Sequence, residues 1–310
     1  MIRKFLFASI LLLLCAPGFS QDQLMQAAYD KLSKRNFEGA VQDFNQILFI
    51  KPDNIEAICG RAEARLSMGK YVEALKDAEQ AISYDVTNAR AYTLKGDALF
   101  YQKDYQNALK TYETAIQKQG APAQATIGKS KVLNQLGNSK EAYKILEDAI
   151  QKQPKNAEFY YARGLLNNTK EKYSKALQDF DKSVSLNPNF NPFGVYLNRG
   201  VAYINLSEIE SAVKDFTMAI EIDPTNATAY HSRGLALYQL DDYKSSTEDF
   251  LKSADLSPNN PVTFYNLGMA YNKLGEKENA CLYFHKSCQL GNTNSCKMII
   301  LVCSDGQQNR

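Results

Sequence analysis

The sequence predicts an all-α protein, a solenoid of about eight stacked helical hairpins, and three observations in one register predict it. The first is a ladder of alanines in the middle of apolar stretches. Ala40, Ala74, Ala108, Ala142 and Ala176 are each 34 residues apart, and after one step of 36 the ladder continues through Ala212, Ser246 and Ala280. The second is a ladder of small residues twelve positions earlier: Ala28, Ala62, Gly96, Ser130, Gly164, Gly200, Gly234 and Gly268. The third sets proline at Pro52, Pro154, Pro188, Pro224 and Pro258, with Val86 and Gly120 in the two slots between. A fixed period of this length marks an array in which each unit buries its apolar face against its neighbours.

Each ladder has a physical reason. The small residue and the alanine lie near the closest approach of two antiparallel helices, where only a minimal side chain lets the backbones meet. Proline falls just past the second helix because it cannot continue one. Around them apolar residues recur at helical spacing, as in Tyr196, Tyr203, Ala212, Phe216 and Ala219. The units are 21–54, 55–88, 89–122, 123–156, 157–190, 193–226, 227–260 and 261–294. A closing helix over 295–303 and a tail over 304–310 follow. Between units 3 and 4, Pro122 comes two places late and the helix from Gln124 to Leu136 is thin in large apolar residues, so this junction is expected to be the softest. The two extra residues, 191 and 192, fall in a run of Asn and Pro from Asn187 to Pro192 that favours a longer turn. That turn either divides the array into units 1–5 (21–190) and units 6–8 (191–294) or is simply a longer loop.

Before the first unit, Met1–Ser20 carries Arg3 and Lys4, an apolar block from Phe5 to Leu14, and small residues at Gly18 and Ser20. This is the pattern of a secretory signal peptide, so an exported, periplasmic or secreted protein is expected. Removing Arg3 and Lys4 from 36 basic residues leaves 34, against 34 acidic. A net charge near zero removes the term that dominates nucleic-acid binding, and no stretch has the ~20 apolar residues of a membrane span. With two histidines in the chain and no nucleotide, hydrolase or zinc-protease motif, neither an enzyme, a cofactor nor a metal is expected.

The run Tyr196, Gly200, Tyr203, Ala212, Phe216, Pro224, and nearly so Tyr230, Gly234, Leu237, Phe250, Pro258, resembles the tetratricopeptide repeat. The resemblance spans almost the whole chain after the leader and implies a right-handed superhelix that binds another protein or an extended peptide. With each unit numbered from its first residue, it also implies that positions 5 and 9 of the first helices line a concave face. These positions are mixed and partly acidic in the first half: Met25 and Tyr29, Cys59 and Glu63, Thr93 and Asp97, Ile127 and Lys131. In the second half Tyr161, Leu165, Leu197, Val201, His231, Leu235, Tyr265 and Met269 form an almost wholly apolar stripe, the candidate partner groove. The alternative is that self-association or an envelope complex fills it. No three consecutive units supply the Lys, Asn and Arg set by which some relatives clamp a terminal carboxylate. His231 reads as a packing or hydrogen-bonding residue. A paired-carboxylate site from Glu63, Asp97 and Asp104 is the weaker reading of those acids beside a solvated face.

Arginine at position 7 occurs together with aspartate at position 23, which predicts the ion pairs Arg61–Asp77, Arg163–Asp179, Arg199–Asp215 and Arg233–Asp249 across single hairpins. Cys281 and Cys288 lie seven apart on the second helix of unit 8, and Cys296 and Cys303 seven apart on the closing helix. Antiparallel helices keep a constant sum of facing residue numbers, which puts Cys288–Cys296 and Cys281–Cys303 in one register as two disulfides. The segment from Lys286 to Cys296 also resembles the cysteine-bridged Sel1-like relatives of the repeat, which implies the 288–296 bridge. The rival is zinc held by these cysteines and His285. Cys59 is left as a small buried thiol.

Overall fold

The computed structural model describes residues 21–303; the leader read from Met1–Ser20 and the tail 304–310 lie outside them. The described residues form helices and no strand. The helices pair as α1 (Gln21–Ser33) with α2 (Phe37–Ile50), α3 (Ile55–Ser67) with α4 (Tyr71–Tyr84), α5 (Ala89–Tyr101) with α6 (Tyr105–Gln117), and α7 (Ala123–Gln135) with α8 (Ser139–Lys152). They continue as α9 (Ala157–Thr169) with α10 (Tyr173–Leu186), α11 (Pro192–Asn205) with α12 (Ile209–Ile222), α13 (Ala227–Gln239) with α14 (Tyr243–Leu256), and α15 (Pro261–Lys273) with α16 (Lys277–Gln289). Two compact units divide between Ala149 and Ile150, inside α8, and the insertion at 191–192 lies within the second.

Local chemistry sets the helix ends. Asn54, Asn88, Asn156, Asn226 and Asn260 precede first helices, and each side chain accepts a backbone N–H two or three residues on, a capping bond of about 1 kcal/mol. Pro122 occupies the same place before α7 and supplies no such bond. Position 15 of each unit, in the turn between its helices, is left-handed throughout: Gly69, Gly137 and Gly275, but also Arg35, Lys103, Glu171, Ser207 and Asp241. The five side-chain-bearing residues there hold a conformation that glycine adopts without strain.

The core repeats with the units. An aromatic ring at position 24 is fully buried in Phe44, Tyr112, Phe180, Phe216, Phe250 and Phe284, each ring contributing roughly 2–3 kcal/mol by burial. The small-residue ladder makes room for these rings as well as for the backbone. A Cβ on Gly200 would come within 2.6 Å of Phe216, and one on Gly268 within 2.7 Å of Phe284 and 3.2 Å of the Ala280 carbonyl oxygen. Serines in the ladders bond across the same contact, Ser130 to the Ala142 carbonyl at 3.2 Å and Ser246 to the Gly234 carbonyl at 2.8 Å. Within the first unit α1, α3, α5 and α7 touch in succession, and within the second α9, α11, α13 and α15 do, so first helices form the inner face of each.

Candidate functional site

In the second unit, positions 5 and 9 of α9, α11, α13 and α15 share that inner face. Tyr161 is half-buried, its ring 5.9 Å from Phe180 and 5.8 Å from Phe190, and Asn198 donates to its hydroxyl at 3.5 Å. Gly194 leaves the space: a Cβ there would lie 2.6 Å from that hydroxyl. Phe190 belongs to the 187–192 turn, so the longer turn braces Tyr161. Leu165 and Leu197 pack against buried rings and are half-buried, while Val201 and Leu235 are 38% and 36% exposed. Leu235, Tyr265 and Met269, with Tyr238, Phe250 and Asn266, line an apolar cleft of about 220 Å³. His231 lies beside it with Nδ1 3.1 Å from the Thr263 hydroxyl and Nε2 3.4 Å from the Asn266 amide nitrogen, its ring against Phe250. Burial holds this imidazole below its usual pKa and so neutral. The tautomer that suits both neighbours carries the proton on Nδ1. Its polar partners are the fully buried Thr263 hydroxyl and the Asn266 amide, with no carboxylate beside them, and His231 serves as a brace.

The inner face of the first unit is of another kind. Arg90 donates to Glu63 at 2.7 Å and to the Tyr29 hydroxyl at 2.9 Å. Tyr112 donates to Asp97 Oδ1 at 2.5 Å, and burial pushes the Asp97 carboxyl up to about 6. Glu63, Asp97, Ile127 and Lys131 line one cleft of about 490 Å³. Asp104 is not part of it; it caps α6 and accepts from the Asn107 N–H at 3.3 Å. Met25 is half-buried in the first core cluster, Thr93 is buried with its hydroxyl on the Ala89 carbonyl at 2.8 Å, and Cys59 is buried with its thiol pushed up to about 11. A thiol so raised stays protonated and inert.

The structure brings together all four arginine–aspartate pairs. Arg199 donates to both Asp215 oxygens at 2.7 and 2.8 Å, and Arg233 to both Asp249 oxygens at the same distances. Arg61 Nη2 reaches Asp77 at 2.8 Å, where Arg65 joins it, and Arg163 Nη2 reaches Asp179 at 2.7 Å. The aspartates are nearly buried, and Tyr160, Tyr196 and Tyr230 lie 5.5–5.9 Å under the Arg163, Arg199 and Arg233 guanidiniums. Sequence reasoning missed a second contact of the same side chains. Position 7 also reaches position 25 of the preceding hairpin: Arg61 to Asn45, Arg199 to Asp181 and Arg233 to Thr217, while Lys95 pairs with Glu79 and Lys129 with Glu113. Where unit 8 has Leu267 at position 7, position 25 before it is Leu251, and the two belong to one core cluster. The signal was present as a charge or apolarity match between those two columns.

Models of the tetratricopeptide repeat match residues 59–125, 99–166, 157–190, 200–241, 227–260 and 262–293. This chain is built of tetratricopeptide repeats. The UDP-N-acetylglucosamine–peptide N-acetylglucosaminyltransferase of Giardia intestinalis is 39% identical over 77 residues, 25% of this chain and 5% of that enzyme. Among solved structures, the Cut9 and Hcn1 hetero-tetramer of the APC/C superposes with a TM-score of 0.69 at 16% identity, over 88% of this chain and 53% of that one. MamA of Desulfovibrio magneticus RS-1 gives 0.51 at 22% identity over 55% and 96%, and human IFIT1, solved as a dimer with m7Gppp-AAAA, gives 0.64 at 16% over 92% and 76%. The chain thus spans only a small part of the transferase and about half of the Cut9 chain, and at these identities the structures share its fold.

The last tetratricopeptide unit is closed differently from the expected regular helix over 295–303. The closing helix α17 starts two residues earlier (Thr293–Met298), because Asn292 caps it with a bond to the Ser295 N–H at 3.1 Å, and the chain turns π-helical over Ile299–Cys303. This π-helical turn packs on α16, where Cys303 lies beside Cys281. Cys281 and Cys303 have Cα atoms 5.8 Å apart, and Cys288 and Cys296 5.0 Å, both within the span a disulfide bridges. Ser295 and Ser287 hydroxyls meet at 2.6 Å beneath them. No group of three or more metal-ligating side chains is gathered among the described residues, and no helix there is long and apolar enough to cross a membrane.

Proposed function

We propose that this tetratricopeptide protein is an exported, non-catalytic scaffold that binds an extended segment of another protein along the inner face of its second unit. The observation that carries the reading is the apolar cleft at Leu235, Tyr265 and Met269, whose size suits one large apolar side chain and whose walls hold no acid, base or nucleophile in catalytic arrangement. Backbone of the segment would lie along exposed Val201 and Leu235, with the cleft as anchor; hot spots of this kind are aromatic or aliphatic side chains in desolvated pockets. Both cysteine pairs are proposed to be disulfide-bonded, in keeping with export, and to fasten the closing helix and its π-helical turn to α16. The test is Leu235→Glu with Met269→Glu. Partner capture from the native envelope or secreted fraction should fall at least tenfold while circular dichroism stays helical. Undiminished capture sinks the groove, and a homodimer lost with the same variant transfers the groove to self-association.

A further inference from the structure

The apolar cleft of the second unit has a hydrogen-bonded polar cluster in its wall. His231 on α13 sets its ring 5.4 Å from Phe250, which lines the cleft. Its Nδ1 is 3.1 Å from the hydroxyl of fully buried Thr263, and its Nε2 is 3.4 Å from the amide nitrogen of Asn266, which lines the cleft as well. The neutral ring thus holds Asn266 by its nitrogen and leaves Oδ1 at the other end of the amide. No charge answers the ring. On the helices packed around α13, Arg199 of α11 is paired with Asp215 of α12, and Arg233 of α13 itself with Asp249 of α14. Tyr238 of α13 and Tyr265 of α15 bring phenols to the cleft. Burial is the one cause acting on the imidazole, and it holds the ring below its ordinary 6.5.

Protonation undoes this arrangement. A second ring proton, on Nε2, points at the Asn266 nitrogen, so two donors meet at 3.4 Å and the amide must turn over to present Oδ1. The new charge, with no carboxylate beside it, needs water around the ring, and an apolar side chain filling the adjoining cleft displaces that water. Proton and occupant therefore compete. We propose that His231 is a proton switch of this cleft: neutral, it holds the Asn266 amide and leaves the wall dry for an apolar side chain of the bound segment; protonated, it turns that amide over and lets the segment go. The inference rests on the reading of the cleft as the anchor for another protein and adds acidification as the condition for release. Linkage fixes the sign. An occupant that favours the neutral ring lowers its midpoint further, so affinity is full above the midpoint of the free protein and falls as pH drops through it.

The test is an NMR pH titration of the whole protein. His231 and His285 are the two histidines of the chain, so each ring signal is assigned by its loss in His231→Gln or His285→Gln. The Met269 methyl, assigned by its loss in Met269→Leu, reports the cleft, and the occupant probe is N-acetyl-phenylalanine amide. In the free protein the Met269 methyl should shift through the His231 midpoint and not through that of His285. The probe should bind at least tenfold more tightly above that midpoint than below it, and at saturation should lower it by at least one pH unit. His231→Gln, which offers Thr263 an N–H and Asn266 an oxygen, should bind the probe at every pH as the neutral wild type does. A Met269 methyl blind to the His231 midpoint, equal probe affinity on both sides of it, or a pH dependence kept in His231→Gln would each overturn the switch and leave the anchor reading standing. No probe binding at any pH up to tens of millimolar would sink the anchor reading and the switch with it.

Discussion

Replacing Asp97 with Asn isolates the energetic consequence of setting a carboxylate between α5 and α6, where desolvation outweighs the Tyr112 hydrogen bond and the charge of Lys131. Asn keeps an oxygen for the Tyr112 hydroxyl and removes only the charge. Burial raises the Asp97 carboxyl from 3.8 to about 6. A folded value above the unfolded one means that the native state prefers the proton. Its stabilising contribution is full below pH 3.8 and is lost as pH rises through about 6. The whole rise corresponds to about 3 kcal/mol, of which about 2 kcal/mol falls between about pH 4.5 and pH 8. Asp97→Asn should therefore gain stability over the wild type by about 2 kcal/mol across that interval, whatever constant offset the new amide introduces. Urea unfolding at several pH values measures the gain, and amide exchange in α5 and α6 locates it in the first unit. A difference independent of pH, or a wild type that gains on the variant as pH rises, would refute the reasoning.

Three further outcomes follow from the packing. Arg199→Ala strands Asp215, which is 5% exposed, while Asp181 stays solvated, so it should destabilise by about 3 kcal/mol in urea. Combining it with Asp215→Ala should cost less than the sum of the two single changes, and strict additivity would mean that the pair is not coupled. Gly200→Ala gains roughly 1 kcal/mol of helix propensity but drives a methyl to 2.6 Å from buried Phe216, an overpacking of about 1–3 kcal/mol. A net loss relieved by adding Phe216→Leu is expected, whereas a stabilised Gly200→Ala would show the ring free to move. Non-reducing peptide mapping should find Cys59 as the one free thiol beside linked 281–303 and 288–296 peptides; four free or metal-protected C-terminal thiols would contradict the bridges.

What the sequence disclosed depended on whether a column of residues carried its own reason. The alanine, small-residue and proline ladders place helices to within a residue or two, because close approach and chain reversal each demand one residue type. The arginine–aspartate pairs were legible because both partners sit in one unit at a fixed separation. The link from position 7 to position 25 of the preceding hairpin was not, since it requires the stacking register between units. The apolar stripe of the second unit could be read, but not its division into braced Tyr161 and open Leu235, which rests on the ring of Phe190 and the missing side chain of Gly194. The polar cleft had a faint signal: Tyr112 stands in a column of phenylalanines, a buried hydroxyl there needs a partner, and Asp97 on the facing helix is that partner. A regular closing helix was expected where a π-helical turn stands, because nothing in an apolar run of Ile299, Ile300, Leu301 and Val302 announces the extra residue per turn.

The claim that the inner face of the second unit receives another protein is tested most directly by a photo-crosslinking residue placed at Met269 in the cleft, with one at Met218, 39% exposed outside the cleft, as the control. Crosslinking in the native envelope or secreted fraction should give adducts to a different protein from position 269 and none of that protein from position 218. Adducts to that protein from 218 but not from 269, or only homodimer adducts from 269, would contradict the account.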